Sequence, residues 1–131
     1  MEFTNINKEI FTDIIKLTIP QQPKERYYGN REYKRKLIYC EQDKFSKRCT
    51  QMLFRLHEGD GKAVYLIGID DDGVITGLTL DELNKSLNNI VKIANNIEAQ
   101  IKKIKIHITD NSKYILIVRI FKQLKNDLNI F

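Results

Sequence analysis

Residues 58–78 read EGDGKAVYLIGIDDDGVITGL, and the folding of this stretch decides the architecture of the chain. Ala63–Asp70 is a short apolar run, suited to a central strand buried on both faces. Asp72 and Gly73 follow, a dipeptide that marks a type I′ hairpin, whose two central residues both need positive φ. The expectation is a strand, a structural turn at Asp72-Gly73, and a partner strand over Val74–Leu78. A phosphate site is the competing reading, but a P-loop needs G-x-x-x-x-G-K-[ST]. Here Ala63 follows Gly61-Lys62, and Leu56 stands where the first glycine belongs. The three aspartates suit a hard cation chemically. They lack the calcium-loop pattern, however, and strand alternation turns Asp70, Asp71 and Asp72 apart. A solvated turn accounts for them.

Toward the N-terminus, Phe45, Cys49, Met52, Leu53 and Leu56 form one helical stripe, ended by Gly59 and Gly61. Before it, residues 32–40, EYKRKLIYC, alternate as a strand, with Tyr33, Arg35 and Leu37 opposite Lys34, Lys36 and Ile38. Residues 8–17 place Ile10, Phe11, Ile14, Ile15 and Leu17 at helical spacing, and Pro20 stops that segment. The stretch between carries two prolines and a glycine without periodicity, so it reads as a linker.

Toward the C-terminus, Thr79-Leu-Asp-Glu82 is a capping box opening a helix through Leu83, Leu87, Ile90, Val91 and Ala94. Asn95-Asn96 is its expected end. Ile104, Ile106 and Ile108 then alternate with Lys103, Lys105 and His107, and Asp110-Asn-Ser112 turns the chain into a last strand, Tyr114–Phe121. The expected fold class is α+β: a two-layer sandwich with a mixed sheet of about five strands, two helices on one face, and an N-terminal helix. Residues 1–31 read as that helix and a polar linker, 32–122 as the α+β domain, and 123–131 as a connector.

The 131 residues suit one domain, and no apolar run nears the roughly 20 needed to span a bilayer. With two cysteines, no C-x-x-C pair and no secretory leader, the expectation is a cytoplasmic protein without a disulfide framework. A formal net charge of +5 conceals segregation. Residues 22–55 hold ten bases against four acids, residues 56–82 one against seven, and residues 83–131 nine against three. Two basic blocks flanking an acidic one suit a polyanion-facing surface. Neither His57 nor His107 has a sequence context for nucleophilic catalysis.

Several of these motifs occur together. Glu32-Tyr-Lys-Arg-Lys-Leu37, Thr50-Gln-Met52, Arg55-Leu-His-Glu-Gly-Asp-Gly61, Tyr65-Leu-Ile-Gly68, Asp71-Asp-Gly73 and Gly77-Leu78 run in order. They resemble the domain that precedes the GTPase core in translational GTPases of the GTP-binding-protein-one/two type, relatives of elongation factor Tu. Lys62, where that family prefers an acid, and Arg35 depart from the pattern. The resemblance covers about residues 32–121. It implies a non-catalytic accessory domain of a translation-associated GTPase, with GTP and magnesium belonging to the full-length protein. This chain ends at Phe131, where the first GTPase strand would be expected, so no cofactor and no enzyme activity are expected of it.

A second likeness, of E-Y-K and Y-L-I-G-I-D-D-D-G-V-I-T-G-L, is to Schlafen/AlbA-type domains. That likeness implies an alternative as an RNA-binding or RNA-cleaving domain, with Glu32 and the Asp70–Asp72 group as metal-binding carboxylates. The partners implied are RNA or the ribosome, through Lys34, Lys36, Arg48, Arg55, Lys102, Lys103 and Lys105, and the protein's own GTPase domain. A protein-docking module is a further alternative. Neither membrane association nor sequence-specific DNA binding is expected.

Overall fold

The computed structural model describes residues 11–15, 19–38 and 42–124. Among the described residues, five strands form one sheet: β1 Phe11–Ile15, β2 Arg31–Lys34, β3 Lys62–Ile67, β4 Gln100–Ile108 and β5 Tyr114–Phe121. Two helices, α1 Gln42–Glu58 and α2 Leu80–Asn96, complete the α+β fold. The strand order is β1-β4-β5-β3-β2. The central pairs, β3 with β5 and β5 with β4, are antiparallel, and each edge strand runs parallel to its neighbour. The parallel pair β2 and β3 is joined through α1, as parallel strands require a long crossover.

Both helices pack on one face of the sheet. Met52 and Leu56 of α1 and Leu83, Leu87, Ile90 and Ile93 of α2 meet Tyr65, Ile67, Ile104, Ile106, Leu116 and Val118, all buried. Burial raises the Tyr65 phenol pKa above its usual value, so this tyrosine stays neutral. The other face carries a smaller cluster of Tyr33, Leu66, Ile69 and Ile115, with Ile19, Val64, Ile75 and Ile117 against it.

Three sequence expectations are corrected. The N-terminal helix over 8–17 is replaced, within the described residues, by β1, which pairs with β4 from Phe11↔Ile104 to Ile15↔His107. Helical spacing of isoleucines did not prevail over the open edge of β4, where the ladder supplies the hydrogen bonds. Within the described residues the expected strand 32–40 is confined to Arg31–Lys34, and residues 39–40 lie outside them. Beyond it, Leu37 turns toward the helices: its N–H donates to Ser86 Oγ at 3.0 Å, and Asn89 Nδ2 donates to its carbonyl at 2.8 Å. Side chains of α2 thus replace the ladder.

The turn after β3 also differs from expectation. Gly73 N–H donates to the Asp70 carbonyl at 2.8 Å, so Asp71 and Asp72 are the central residues. Only Gly73 has positive φ, at +90°, and Asp72 Oδ1 accepts from Val74 N–H at 2.9 Å. This is a three-residue hairpin loop with glycine in the left-handed position, not a type I′ turn. The returning strand Val74–Leu78 shrinks to the isolated bridges Ile69↔Ile75 and Leu78↔Tyr114. Thr76 and Gly77 N–H both donate to the Gly68 carbonyl, which bends the chain out of register.

The helix signals give the expected ends. Glu82 N–H donates to Thr79 Oγ1 at 3.2 Å and Thr79 N–H donates to Glu82 Oε1 at 2.9 Å, a complete capping box. α1 ends where Asp60 and Gly61 take positive φ, and Gly61 N–H bonds the Leu56 carbonyl. No described helix is long and apolar enough to cross a membrane. Cys49 is buried and forms no disulfide among the described residues, whereas Cys40 and the connector from residue 125 lie outside them.

Candidate nucleic-acid interface

The seven basic residues singled out above occupy three different environments. Arg48 and Arg55, seven apart on α1, share one helical stripe, and that stripe faces β2 and the segment before it. At the deep end Arg55 is buried. Its Nε donates to Glu32 Oε1 at 2.8 Å, and its two terminal nitrogens donate to the carbonyls of Arg26, Tyr28 and Gly29 at 2.8–3.0 Å. A guanidinium so engaged has no face for a phosphate. Arg55 therefore leaves the candidate interface, because inward packing placed it opposite a buried carboxylate. Glu32 is likewise committed, with Lys34 Nζ 3.6 Å from its other oxygen.

At the shallow end of the stripe Arg48 is half-buried. Its Nε finds no hydrogen-bond partner among the described residues. Arg48, Lys34, Lys44, Lys47 and Gln51 line an open depression of about 330 Å³. Lys44 and Lys47 are exposed. Four cations from α1 and the end of β2 thus converge, and three of them, Lys44, Lys47 and Arg48, follow from helix α1 alone. Lys36 lies outside this group, exposed and 3.4 Å from Glu82.

Lys103 and Lys105 alternate with Ile104 and Ile106, which are buried under the helices, so these lysines lie on the opposite face of the sheet. Lys102, at an irregularity in β4, reaches over the Phe121 ring at 5.5 Å. Lys103 and Lys105 therefore do not join the depression lined by Lys34, Lys44, Lys47 and Arg48. The structure adds Lys62 and Arg119, which line a depression with Lys102 and Phe121. Writing β4 and β5 as an antiparallel pair would have placed Lys103 beside Arg119, its observed register partner.

The segment before β2 is a strap on the domain. Gln22 N–H donates to the Gly73 carbonyl and Glu25 N–H to the Asp71 carbonyl. The Glu25 carboxylate accepts from Tyr33 N–H. Burial raises the Glu25 pKa, with Glu32 and Asp71 adding to it, against the hydrogen bond from Tyr33 and the Arg55 charge. Glu58 Oε1 accepts from Gly29 N–H at 3.1 Å, and Asn30 Nδ2 donates to the Lys62 carbonyl at 3.1 Å. The residues Glu32, Arg55, Glu58 and Gly59 of the quoted motifs thus gather around this strap and hold it.

The three aspartates have local roles. Asp70 Oδ1 accepts from Asp71 N–H, and Asp72 caps Val74. Among the described residues no group of three or more His, Cys, Asp or Glu side chains could hold a metal ion.

Comparison with known proteins places this geometry in context. A segment of 82 residues, 63% of the chain, is 43% identical to GTP-binding protein 2 of Homo sapiens, and equally to that of Mus musculus. The similarity is to a GTP-binding protein. A longer segment of 107 residues, 81% of the chain, is 38% identical to an uncharacterized protein of Acanthamoeba polyphaga mimivirus. The chain spans 14% of the length of each GTP-binding protein 2 and 58% of the viral relative. No protein-family model matches the chain, and no solved structure matches it significantly.

Proposed function

We propose that this domain is a non-catalytic accessory module of a translation-associated GTP-binding protein, and that it contacts RNA phosphates through its basic surface. The likeness to GTP-binding protein 2 supports the GTPase context. GTP and magnesium would be bound by a GTPase core elsewhere in such a protein, to which this domain would also dock, working in the cytoplasm.

The convergence of Lys34, Lys44, Lys47 and Arg48 on one depression carries the RNA reading. Like charges held this close repel one another, and a polyanion relieves the repulsion while releasing its own counterions.

Electrophoretic shift of a mixed RNA pool at two salt concentrations tests the proposal. The chain should bind weakly and without strong sequence preference, and binding should fall steeply with salt. Lys44→Glu combined with Lys47→Glu alters two exposed side chains and should weaken all RNAs alike. Each lost phosphate contact should reduce the salt slope by about 1. Unchanged binding by this variant would leave the cluster as a solvated face, and protein would become the better partner class.

A further inference from the structure

We propose that the helix-free face of the sheet is a path for single-stranded RNA, with one base seated against Phe121 and the neighbouring phosphates on Arg119, Lys62 and Lys102. The inference extends the RNA reading above and rests on it, but it uses different residues on the opposite side of the sheet.

The face is defined by strand alternation. Tyr33, Val64, Leu66, Ile115 and Ile117 form the apolar cluster away from the helices. Two residues further along the same strands lie Arg31, Lys62 and Arg119, with Phe121 two beyond Arg119. The strand registers Arg31↔Val64, Val64↔Arg119 and Arg119↔Lys103 align Arg31, Val64, Arg119 and Lys103 into a row across four strands. Three interstrand steps make that row about 14 Å long, long enough for more than one phosphate. Lys62 pairs with Phe121 in the next row.

Within this surface is a depression of about 320 Å³, lined by Asn30, Lys62, Val64, Lys102, Arg119 and Phe121. Its floor is apolar, and its rim is cationic. None of Arg31, Lys62, Lys102, Lys103 and Arg119 has an ion-pair partner among the described residues. The Arg31 guanidinium donates to Gln22, a neutral group. Lys102 already rests over the Phe121 ring, so a cation and a π-face are in place together.

That pairing selects the ligand class. Protein interfaces deplete charge at their centres, whereas this one concentrates like charge around a small apolar floor. A nucleic acid duplex offers phosphates but keeps its bases stacked inside. An unpaired strand offers both a phosphate for the rim and a free base face for the ring. Toward the sheet edge a second depression, sharing Asn30, includes Tyr28, whose ring packs edge-on against the 86% exposed Tyr27. It continues the same path with further aromatic surface.

The test uses the whole chain with fluorescein-labelled oligouridylate, and an adenylate–uridylate duplex as comparison. Because the chain contains no tryptophan, Phe121→Trp creates a single reporter at the proposed seat. Single-stranded RNA should quench its emission, and the duplex should bind more weakly and quench less. Arg119→Glu with Lys103→Glu should weaken oligouridylate binding about tenfold or more, and Phe121→Leu by a similar factor through lost stacking. Circular dichroism confirms that each variant is folded. If the parent binds RNA, Lys44→Glu/Lys47→Glu weakens it, and the sheet-face variants bind as the parent does, this inference falls while the helix-side reading stands. Unchanged tryptophan emission at saturating RNA would also overturn it. A parent chain that binds no RNA overturns both.

Discussion

Arg55 and Glu32 form a buried ion pair, 2.8 Å from Nε to Oε1, that ties the last turn of α1 to β2. The remaining donors of Arg55 hold the carbonyls of the strap at Arg26, Tyr28 and Gly29. One guanidinium therefore joins helix, strand and strap. Arg55→Met should cost about 3–5 kcal/mol, because it strands the Glu32 carboxylate without its partner. Combining it with Glu32→Gln should recover part of that loss. Urea unfolding of both single variants and the double variant checks the coupling, and strictly additive losses would refute it.

Two carboxylates give the stability opposing pH dependences. The folded-state pKa of Glu25 is raised, so folding favours its protonated form. Its contribution is full below the ordinary value of 4.5 and is lost as pH rises through the folded-state pKa. For Glu82 the hydrogen bond from Thr79 N–H leads in lowering the pKa, so its contribution is present above 4.5 and is lost as pH falls through the lowered value. Glu25→Gln should flatten the loss of stability above pH 4.5, and Glu82→Gln the loss below it. Thermal melts across this range measure both slopes.

Gly73 should tolerate no side chain. A Cβ there would lie 1.8 Å from the Gln22 carbonyl oxygen, and its φ of +90° already disfavours an L-residue. Gly73→Ala should cost on the order of 1–3 kcal/mol from the backbone alone, with displacement of the strap in addition. Asp72→Ala removes one hydrogen bond, to Val74 N–H, and should cost about 1 kcal/mol. Calorimetric melting of the two variants should rank them in that order, and faster proteolysis near residues 22–23 should accompany the glycine change.

Asn89 should behave as a core residue despite its amide. Asn89→Leu deprives the Leu37 carbonyl of its donor in a buried setting, at a cost of about 1–3 kcal/mol. Exchange-detected amide protection of residue 37 should stay intact, since its N–H is held separately by Ser86. Loss of that protection would show that the two bonds form one unit.

This chain should bind no GTP by itself, since Gly61-Lys62-Ala63 lacks the hydroxyl and the preceding loop that hold phosphate and magnesium. Isothermal calorimetry with GTP and magnesium should give no heat of binding, and micromolar affinity would contradict this expectation.

Local signals were legible where the chemistry is local. The capping box at Thr79 and Glu82 and the glycine stop after α1 follow from residue type and spacing, because each is satisfied by groups a few residues apart, and the bounds of β5 and the α+β class follow from the period of the apolar residues. What depended on partners distant in sequence was not. Phe11–Ile15 is a strand because β4 lies beside it, and Leu37 leaves the sheet because Ser86 and Asn89 receive its backbone. Lysines and arginines look alike in a sequence, so only packing distinguished Arg55, turned inward to Glu32, from Arg48 at the surface depression. Strand alternation placed Lys103 and Lys105 on one side of β4. Only the pairing of β5 with β3 and of β3 with β2 brought Lys62 beside Phe121 and aligned Arg31 with Arg119 through Val64, because a strand's face is a local property and its distant neighbour is a tertiary one.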